Sequence, residues 1–289
     1  MIENHLLMRS VIRSALDEDL GPGDITTDAL IDSEITGWAV LLTREELVLA
    51  GLPVFEAVFL EINPRMVFER YFQDGDVVPA GTRVCSITGS LSHILKAERT
   101  ALNFLQRMSG IATLTKQYVE KASPYKAMIL DTRKTVPGIR LFDKYAVRTG
   151  GGRNHRFGLF DGVLIKDNHI VAAGSISRSI QLARKGVPHT IKIEVEVEDI
   201  AGVEEALQAG ADVILLDNMS PEQMTRAVQL VSGRVMIEAS GGITLDTVTD
   251  VAKCGVDMIS VGGLTHSPRA ADFSLEIISK NSEIPPGSM

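Results

Sequence analysis

The chain has 289 residues, 45% of them hydrophobic and 23% charged, with a formal net charge of −8 and a sequence pI near 5.3. These figures fit a soluble globular protein with one large α/β domain, or one such domain and a smaller partner, and the acidic balance disfavours nucleic acid as the main partner. No stretch reaches the length of apolar chain that a membrane span needs, and MIENHLLMRSVIRSALDEDL is too acidic and polar for a signal peptide, so a cytoplasmic location is expected.

Residues 1–20 read as an amphipathic helix, and EDLGPGDITTDAL as a turn-rich connection with Pro22 between two glycines. The runs ITGWAVLLTR and MVFERYFQ have strand character. DGDVVPAGTRVCSITG resembles the hairpin of biotin- and lipoyl-type folds but has no lysine at its tip, which leaves it the role of a structural half-barrel. SHILKAERTALNFLQRMSGIATLTKQYVEKA is a long helical pattern with Ile94, Leu95, Ala101, Leu102 and Leu105 on or near one face. Ser109-Gly110 interrupts it, and a domain boundary is expected there, near residue 110. Cys85 and Cys254 lie far apart without C-x-x-C spacing, which predicts two reduced, buried thiols and neither a zinc site nor a disulfide.

From about residue 125 the pattern changes. KAMILDTRK, DGVLIKDNH, TIKIEVEV, DVILLDN, RVMIEASGG and DMISVGG are short strand-like runs separated by helical segments. Two of those segments, DIAGVEEALQAGA and TLDTVTDVAKCGV, end at Gly210 and Gly255 as a helix C-cap would. Such alternation signals βαβ units around a parallel sheet. The strands end on polar residues: Arg133 and Lys134, Lys166, Asp217, Ser240. Both a β/α barrel and an open doubly wound sheet bind ligands at that end of the strands. The absence of G-x-G-x-x-G after a first strand, and the many strands whose charges must converge, favour a barrel, and six clear strands rather than eight make it incomplete. After SVGGLTHSPRA the chain adds a short helix-like run and a Pro/Gly-rich tail.

Asp131 to His169 contains eight Lys or Arg against four Asp, in a chain that is acidic overall. A solvated basic face and an anionic ligand would both explain that excess. The cations that close apolar runs, in DTRK and LIKDNH, favour the ligand. Arg133, Lys134, Arg156 and Lys166 would suit a substrate with several carboxylates or phosphates, the guanidinium gripping carboxylate with two hydrogen bonds and the ammonium acting as a point charge. His155 on its own reads as a structural histidine. Glu194 and Glu196 share one strand face, and Glu196, nearer the strand end, pairs with Asp217. Such a pair can hold a hard divalent ion, bind sugar hydroxyls, steady a developing positive charge, or simply neutralise neighbouring lysines. Ser240, Gly241 and Gly242, with Gly262 and Gly263, could offer backbone N–H groups to a phosphate.

These motifs together resemble the quinolinate phosphoribosyltransferase family, also called carboxylating nicotinate-nucleotide pyrophosphorylase. The resemblance runs from EDLGPGDITTDAL through ERTALNFLQRMSGIAT, DTRKTVPGIR, KYAV, GGGRNHRFGL, LIKDNH, IEVEV, LLDN and EASGGI to SVGGLTHS, and NHR-x-GL followed by LIKDNH is its most specific part. It implies a homodimer with an N-terminal α/β half-barrel domain (1–110) and an incomplete, about seven-stranded β/α barrel (111–267), with the tail 268–289 packing on the first domain. The implied reaction joins quinolinate to 5-phosphoribosyl-1-pyrophosphate with Mg²⁺, yielding nicotinate mononucleotide, pyrophosphate and CO₂ in NAD biosynthesis. By motif, Arg133, His155, Arg156 and Lys166 would surround the quinolinate carboxylates, joined by Arg99 from the neighbouring subunit. Lys134, Glu196 and Asp217 would meet the phosphoribosyl pyrophosphate and its Mg²⁺, with Ser240, Gly241, Gly262 and Gly263 at the 5-phosphate. The implied catalytic set is Lys134, Lys166, Glu196 and Asp217, and the implied metal ligands are Glu196 and Asp217, mainly through substrate and water. A sister transferase for nicotinate or a molybdenum-linked substrate would need fewer cations, and an idle phosphometabolite-binding barrel would not need the Glu196 and Asp217 pair.

Overall fold

The computed structural model describes residues 6–278. The elements are, in chain order, α1 (Leu6–Leu20), α2 (Ile25–Leu30), β1 (Thr36–Thr43), β2 (Leu47–Val48), α3 (Leu52–Ile62), β3 (Val67–Arg70), β4 (Val77–Val78), β5 (Arg83–Ser90) and α4 (Leu91–Ala122). There follow β6 (Met128–Leu130), α5 (Arg140–Thr149), β7 (Val163–Ile165), α6 (Asp167–Ala173), α7 (Ile176–Gly186), β8 (Ile193–Val197), α8 (Ile200–Gln208) and β9 (Val213–Asp217). The last are α9 (Pro221–Val231), β10 (Met236–Ser240), α10 (Val248–Lys253), β11 (Met258–Ser260), α11 (Gly263–His266) and β12 (Phe273–Ile278). Among the described residues no helix is long and apolar enough to cross a membrane. Both cysteines are free and buried.

Two compact units emerge. The first comprises the described residues up to Thr113, Pro137–Gly150 and those from Pro268; the second comprises Leu114–Val136 and Gly151–Ser267. The expected division left Pro137–Gly150 in the second unit, and its side chains explain the difference. Phe142 is buried and stacks on Phe104 with ring centroids 5.0 Å apart. The fully buried Asp143 carboxylate takes both a Nε and a Nη hydrogen bond from Arg107 at 2.8 Å, and Tyr145 donates to Asp74 at 2.7 Å. A buried, bidentate ion pair of this kind fixes α5 to α4 within the first unit.

The first unit is built on a four-stranded antiparallel sheet ordered β12-β1-β5-β3, with β2 and β4 paired separately. The piece expected as a hairpin is therefore divided: β4 pairs with β2, and β5 with β1 and β3. The run after SPRA, read as helix-like, is the strand β12, paired with β1 from Trp38↔Ile278 to Thr43↔Phe273. Its β-branched and aromatic residues suit a half-buried pleated surface. The Pro/Gly-rich tail beyond it lies outside the described residues.

Helix α4 runs without a break through Ser109-Gly110, correcting the expected interruption. Ser109 is fully buried and its hydroxyl pairs with the backbone N–H and C=O of Ala50, each at 3.1 Å. Gly110 lets the backbone of Arg269 approach so closely that a Cβ would stand 2.0 Å from its carbonyl oxygen. Here small residues serve close packing and do not break the helix.

The second unit holds a six-stranded parallel sheet ordered β6-β11-β10-β9-β8-β7. All six runs expected as strands form it. Its strands are nearly continuous apolar runs, as β9 (VILLD) illustrates, because a parallel sheet is covered on both faces. Helices α8 and α10 follow β8 and β10, and Gly210 (φ +80°) and Gly255 (φ +85°) close their C-terminal turns in the left-handed conformation.

Candidate active site

In the second unit the C-terminal ends of the parallel strands border a cavity of about 860 Å³. The volume lies at the upper part of the range for small-molecule sites, enough for more than one substrate. Register explains which residues reach it. Glu196, Leu215 and Glu238 are aligned across β8, β9 and β10, and Asp217 with Ser240 one layer further along. Aligned neighbours share a face, so the same inward row carries Glu196, Glu238, Asp217 and Ser240 into the cavity.

Arg133 and Lys134 follow β6, His155 and Arg156 lie in the loop before β7, and Lys166 caps α6 just after β7; all five line the cavity. Lys166 forms an ion pair with Glu196. Arg156 donates to the Gly162 carbonyl at 2.9 Å, and burial together with the neighbouring charge of Arg133 lowers its pKa. Arginine nonetheless stays charged in proteins.

Beneath these cations lies a buried triad. His155 Nε2 is 3.0 Å from Glu194 and 3.7 Å from Glu238 Oε1. The fully buried Asp131 accepts the His155 backbone N–H at 2.9 Å and also holds the Asn154 amide, which fixes the turn that presents His155 and Arg156. Burial, and then the charge of Glu194, push the Glu238 carboxyl up to about 8. One oxygen each of Glu194 and Glu238 is buried without a hydrogen-bond partner among the described residues.

On the opposite wall, Gly241 (φ +97°) and Gly242 (φ +61°) turn sharply after β10. At Gly241 a Cβ would come within 2.2 Å of Asn218 Oδ1, and at Gly262 within 3.0 Å of Lys134 Cδ, so both positions are restricted to glycine by close approach. Asn218 itself donates to Asp217 at 2.9 Å. The Lys134 stem thus lies across the turn that carries Gly262 and Gly263, and its carbonyl takes the Thr265 hydroxyl at 2.9 Å.

Every candidate residue from the sequence lines this cavity except Arg99, which is exposed on α4 in the first unit. Sequence reasoning did not single out Glu238 or the anchoring role of Asp131. A signal for Glu238 existed: it sits two residues before Ser240 in one strand, and therefore on the same face.

The comparisons with known proteins agree over the whole arrangement. The quinolinate phosphoribosyl transferase C-terminal domain matches residues 111–276, and the N-terminal domain of that enzyme matches residues 24–109. The chain belongs to the quinolinate phosphoribosyl transferase family. A probable nicotinate-nucleotide pyrophosphorylase (carboxylating) of Bacillus subtilis is 39% identical, with 97% of each chain covered. A mitochondrial quinolinate phosphoribosyltransferase (decarboxylating) of Nicotiana tabacum is 43% identical over 93% of this chain and 82% of its own. The crystal structure of NadC from Streptococcus pyogenes superposes with a TM-score of 0.90 at 44% identity, covering 93% of this chain and 96% of that one. In this family member the residues of the NHR and LIKDNH motifs converge on one cavity.

Proposed function

We propose that the cavity joins quinolinate to 5-phosphoribosyl-1-pyrophosphate and releases CO₂, forming nicotinate mononucleotide and pyrophosphate for NAD biosynthesis. Membership of the family supports the reaction. The observation that carries the site reading is the convergence of Arg133, His155, Arg156 and Lys166 on one part of a cavity whose other wall holds Gly241, Gly242 and Gly262. A dicarboxylate suits the first part and a phosphate the second.

In this reading Arg133, Arg156, Lys166 and His155 orient the two quinolinate carboxylates so that the pyridine nitrogen faces the ribose C1. As the C1 to pyrophosphate bond breaks, positive charge builds on the ribose, and Glu196 and Asp217 lie on adjacent strands to stabilise it. Lys134 meets the leaving group. Once the nitrogen is bonded and cationic, the C2 to carboxylate bond can break with its electron pair retained at C2, which then takes a proton. The protein's contribution there is to hold and desolvate the carboxylate. Glu196 and Asp217 also suit Mg²⁺ by donor chemistry, since both are carboxylates at the cavity wall. Their existing partners, Lys166 and Asn218, favour contact through substrate and water over a tight protein cage. When bound, Mg²⁺ neutralises pyrophosphate and makes it a better leaving group.

The sheet is best read as an incomplete barrel. The first strand, β6, pairs with the last, β11, and Arg153 adds a parallel bridge to Leu130 on the free side of β6. Counted along the hydrogen-bonded order, β8 is five strand spacings from Arg153, about 24 Å in a flat sheet. His155, two residues after Arg153, nevertheless touches Glu194 of β8 at 3.0 Å, which supports a sheet curled on itself. A homodimer with Arg99 entering the partner's site completes the reading and accounts for an exposed arginine on α4.

The test is to incubate the protein with quinolinate, phosphoribosyl pyrophosphate and Mg²⁺, and to follow nicotinate mononucleotide and CO₂, with nicotinate as a parallel substrate. Product from quinolinate alone is expected. Product from nicotinate alone would move the assignment to a sister transferase, and no product from either would leave only a binding protein.

A further inference from the structure

The proposed reaction gives Glu194 and Glu238 no task, yet both are buried directly under the carboxylate-binding part of the cavity. Their side chains are 10% and 2% exposed, and each keeps one oxygen without a partner among the described residues. Two carboxyls side by side in a protein interior are costly, and Leu215, aligned with Glu238 on the neighbouring strand, is an apolar residue filling the same layer. A packing role would be met by a second leucine.

What the two acids touch is His155. The imidazole is held along both edges: Nδ1 accepts the Arg156 backbone N–H at 2.7 Å, and Nε2 faces Glu194 at 3.0 Å and Glu238 at 3.7 Å. With Nδ1 an acceptor, the ring proton belongs on Nε2, facing the acids. Asp131 fixes the backbone of the same residue from the other side. We infer that Glu238, together with Glu194, positions the His155 ring, and through it the adjoining Arg156, for recognition of the quinolinate carboxylates. Glu238 does not need a charge for this task, since a shared proton lets the two carboxyls lie together; the carboxyl held up to about 8 is consistent with that state. Removing its polar end frees the ring to rotate and moves the cations that follow it. The inference rests on the quinolinate reading of the site.

The experiment compares the full-length protein with Glu238→Leu and Glu238→Gln, titrating quinolinate binding directly and measuring kcat and both KM values. Glu238→Leu is expected to raise the quinolinate Kd and KM by about 10-fold or more, with kcat and the phosphoribosyl pyrophosphate KM within about 3-fold. Glu238→Gln, which keeps shape and hydrogen bonding without ionising, is expected to restore quinolinate KM to within about 3-fold of the parent. In a His155→Gln background, Glu238→Leu should add little further loss, because both act through one contact. An unchanged quinolinate KM in Glu238→Leu, an equal rise in both KM values, or a Gln variant as impaired as Leu overturns the positioning role. If Glu238→Leu does not fold, Glu238→Met, unbranched and of similar volume, takes its place with the same expected readings. A parent protein that binds no quinolinate in the same titration overturns the functional reading with it, whereas binding that Glu238→Leu leaves unchanged overturns the positioning role alone.

Discussion

Lys166 links the two halves of the proposed chemistry, because the ammonium expected at a quinolinate carboxylate is also the ion-pair partner of Glu196. Loss of a charge-assisted hydrogen bond costs about 1.5–3 kcal/mol, so Lys166→Ala should raise quinolinate KM by about 10- to 100-fold. Phosphoribosyl pyrophosphate affinity should fall much less; separate titrations giving equal losses would refute that division. Glu238 provides a second residue-scale consequence. Its carboxyl is raised from an ordinary 4.5 to about 8 in the fold by burial and by Glu194, against opposing contributions from His155 and Ser260. Between those values the folded protein holds a proton that the unfolded chain has lost, so this group's contribution to stability decreases as pH rises from about 4.5 to 8 and is level above that. Glu238→Gln should flatten that part of the stability profile, as read by denaturant unfolding across the range. A variant that keeps the parent's slope would show that Glu238 ionises normally. The sequence displayed Glu238 two positions from Ser240, but a strand pattern does not say which acid has another acid beside it.

At the scale of elements, the local patterns were legible where one period held and one environment decided. The six parallel strands and helices α8 and α10 follow that rule, with hydrophobic runs bounded by glycines that can adopt positive φ. Misreadings came where a residue's meaning depends on what packs against it. Ser109-Gly110 has the composition of a break, and in the structure it is the contact surface of a continuous helix. Alanine is ordinarily favoured over glycine in a helix by about 1 kcal/mol. Here Gly110→Ala should destabilise the protein by about 1–3 kcal/mol, the cost of overpacking, because the new Cβ meets a backbone oxygen that cannot rotate away. Thermal unfolding would check it, and a raised Tm would mean that the Arg269 segment yields without cost. The run FSLEII was similarly ambiguous, since six residues can serve either period, and pairing with β1 selects the strand.

Across the whole molecule, the cavity lining comes entirely from the second unit, and Arg99 belongs to the first. The cross-subunit role proposed for Arg99 has a direct test by mixing. Arg99→Ala and Lys166→Ala proteins, each inactive alone, should regain about a quarter of the parent activity after unfolding and refolding together if a two-fold dimer builds each site from both chains. No recovery would place Arg99 in its own subunit's site or outside catalysis. The sequence by itself determined the family, the βα alternation and the chemical identity of the site, because cations, carboxylates and glycines closing successive strands are local facts that the chain order records. Only the tertiary structure decided that Pro137–Gly150 joins the first unit, that β12 closes the antiparallel sheet, and that Glu194, Glu238 and His155 meet. Each of these depends on the burial of groups far apart in the chain, Arg107 with Asp143 or His155 with Glu238, and a one-dimensional pattern holds no measure of which distant partner offsets the cost of taking a charge out of water.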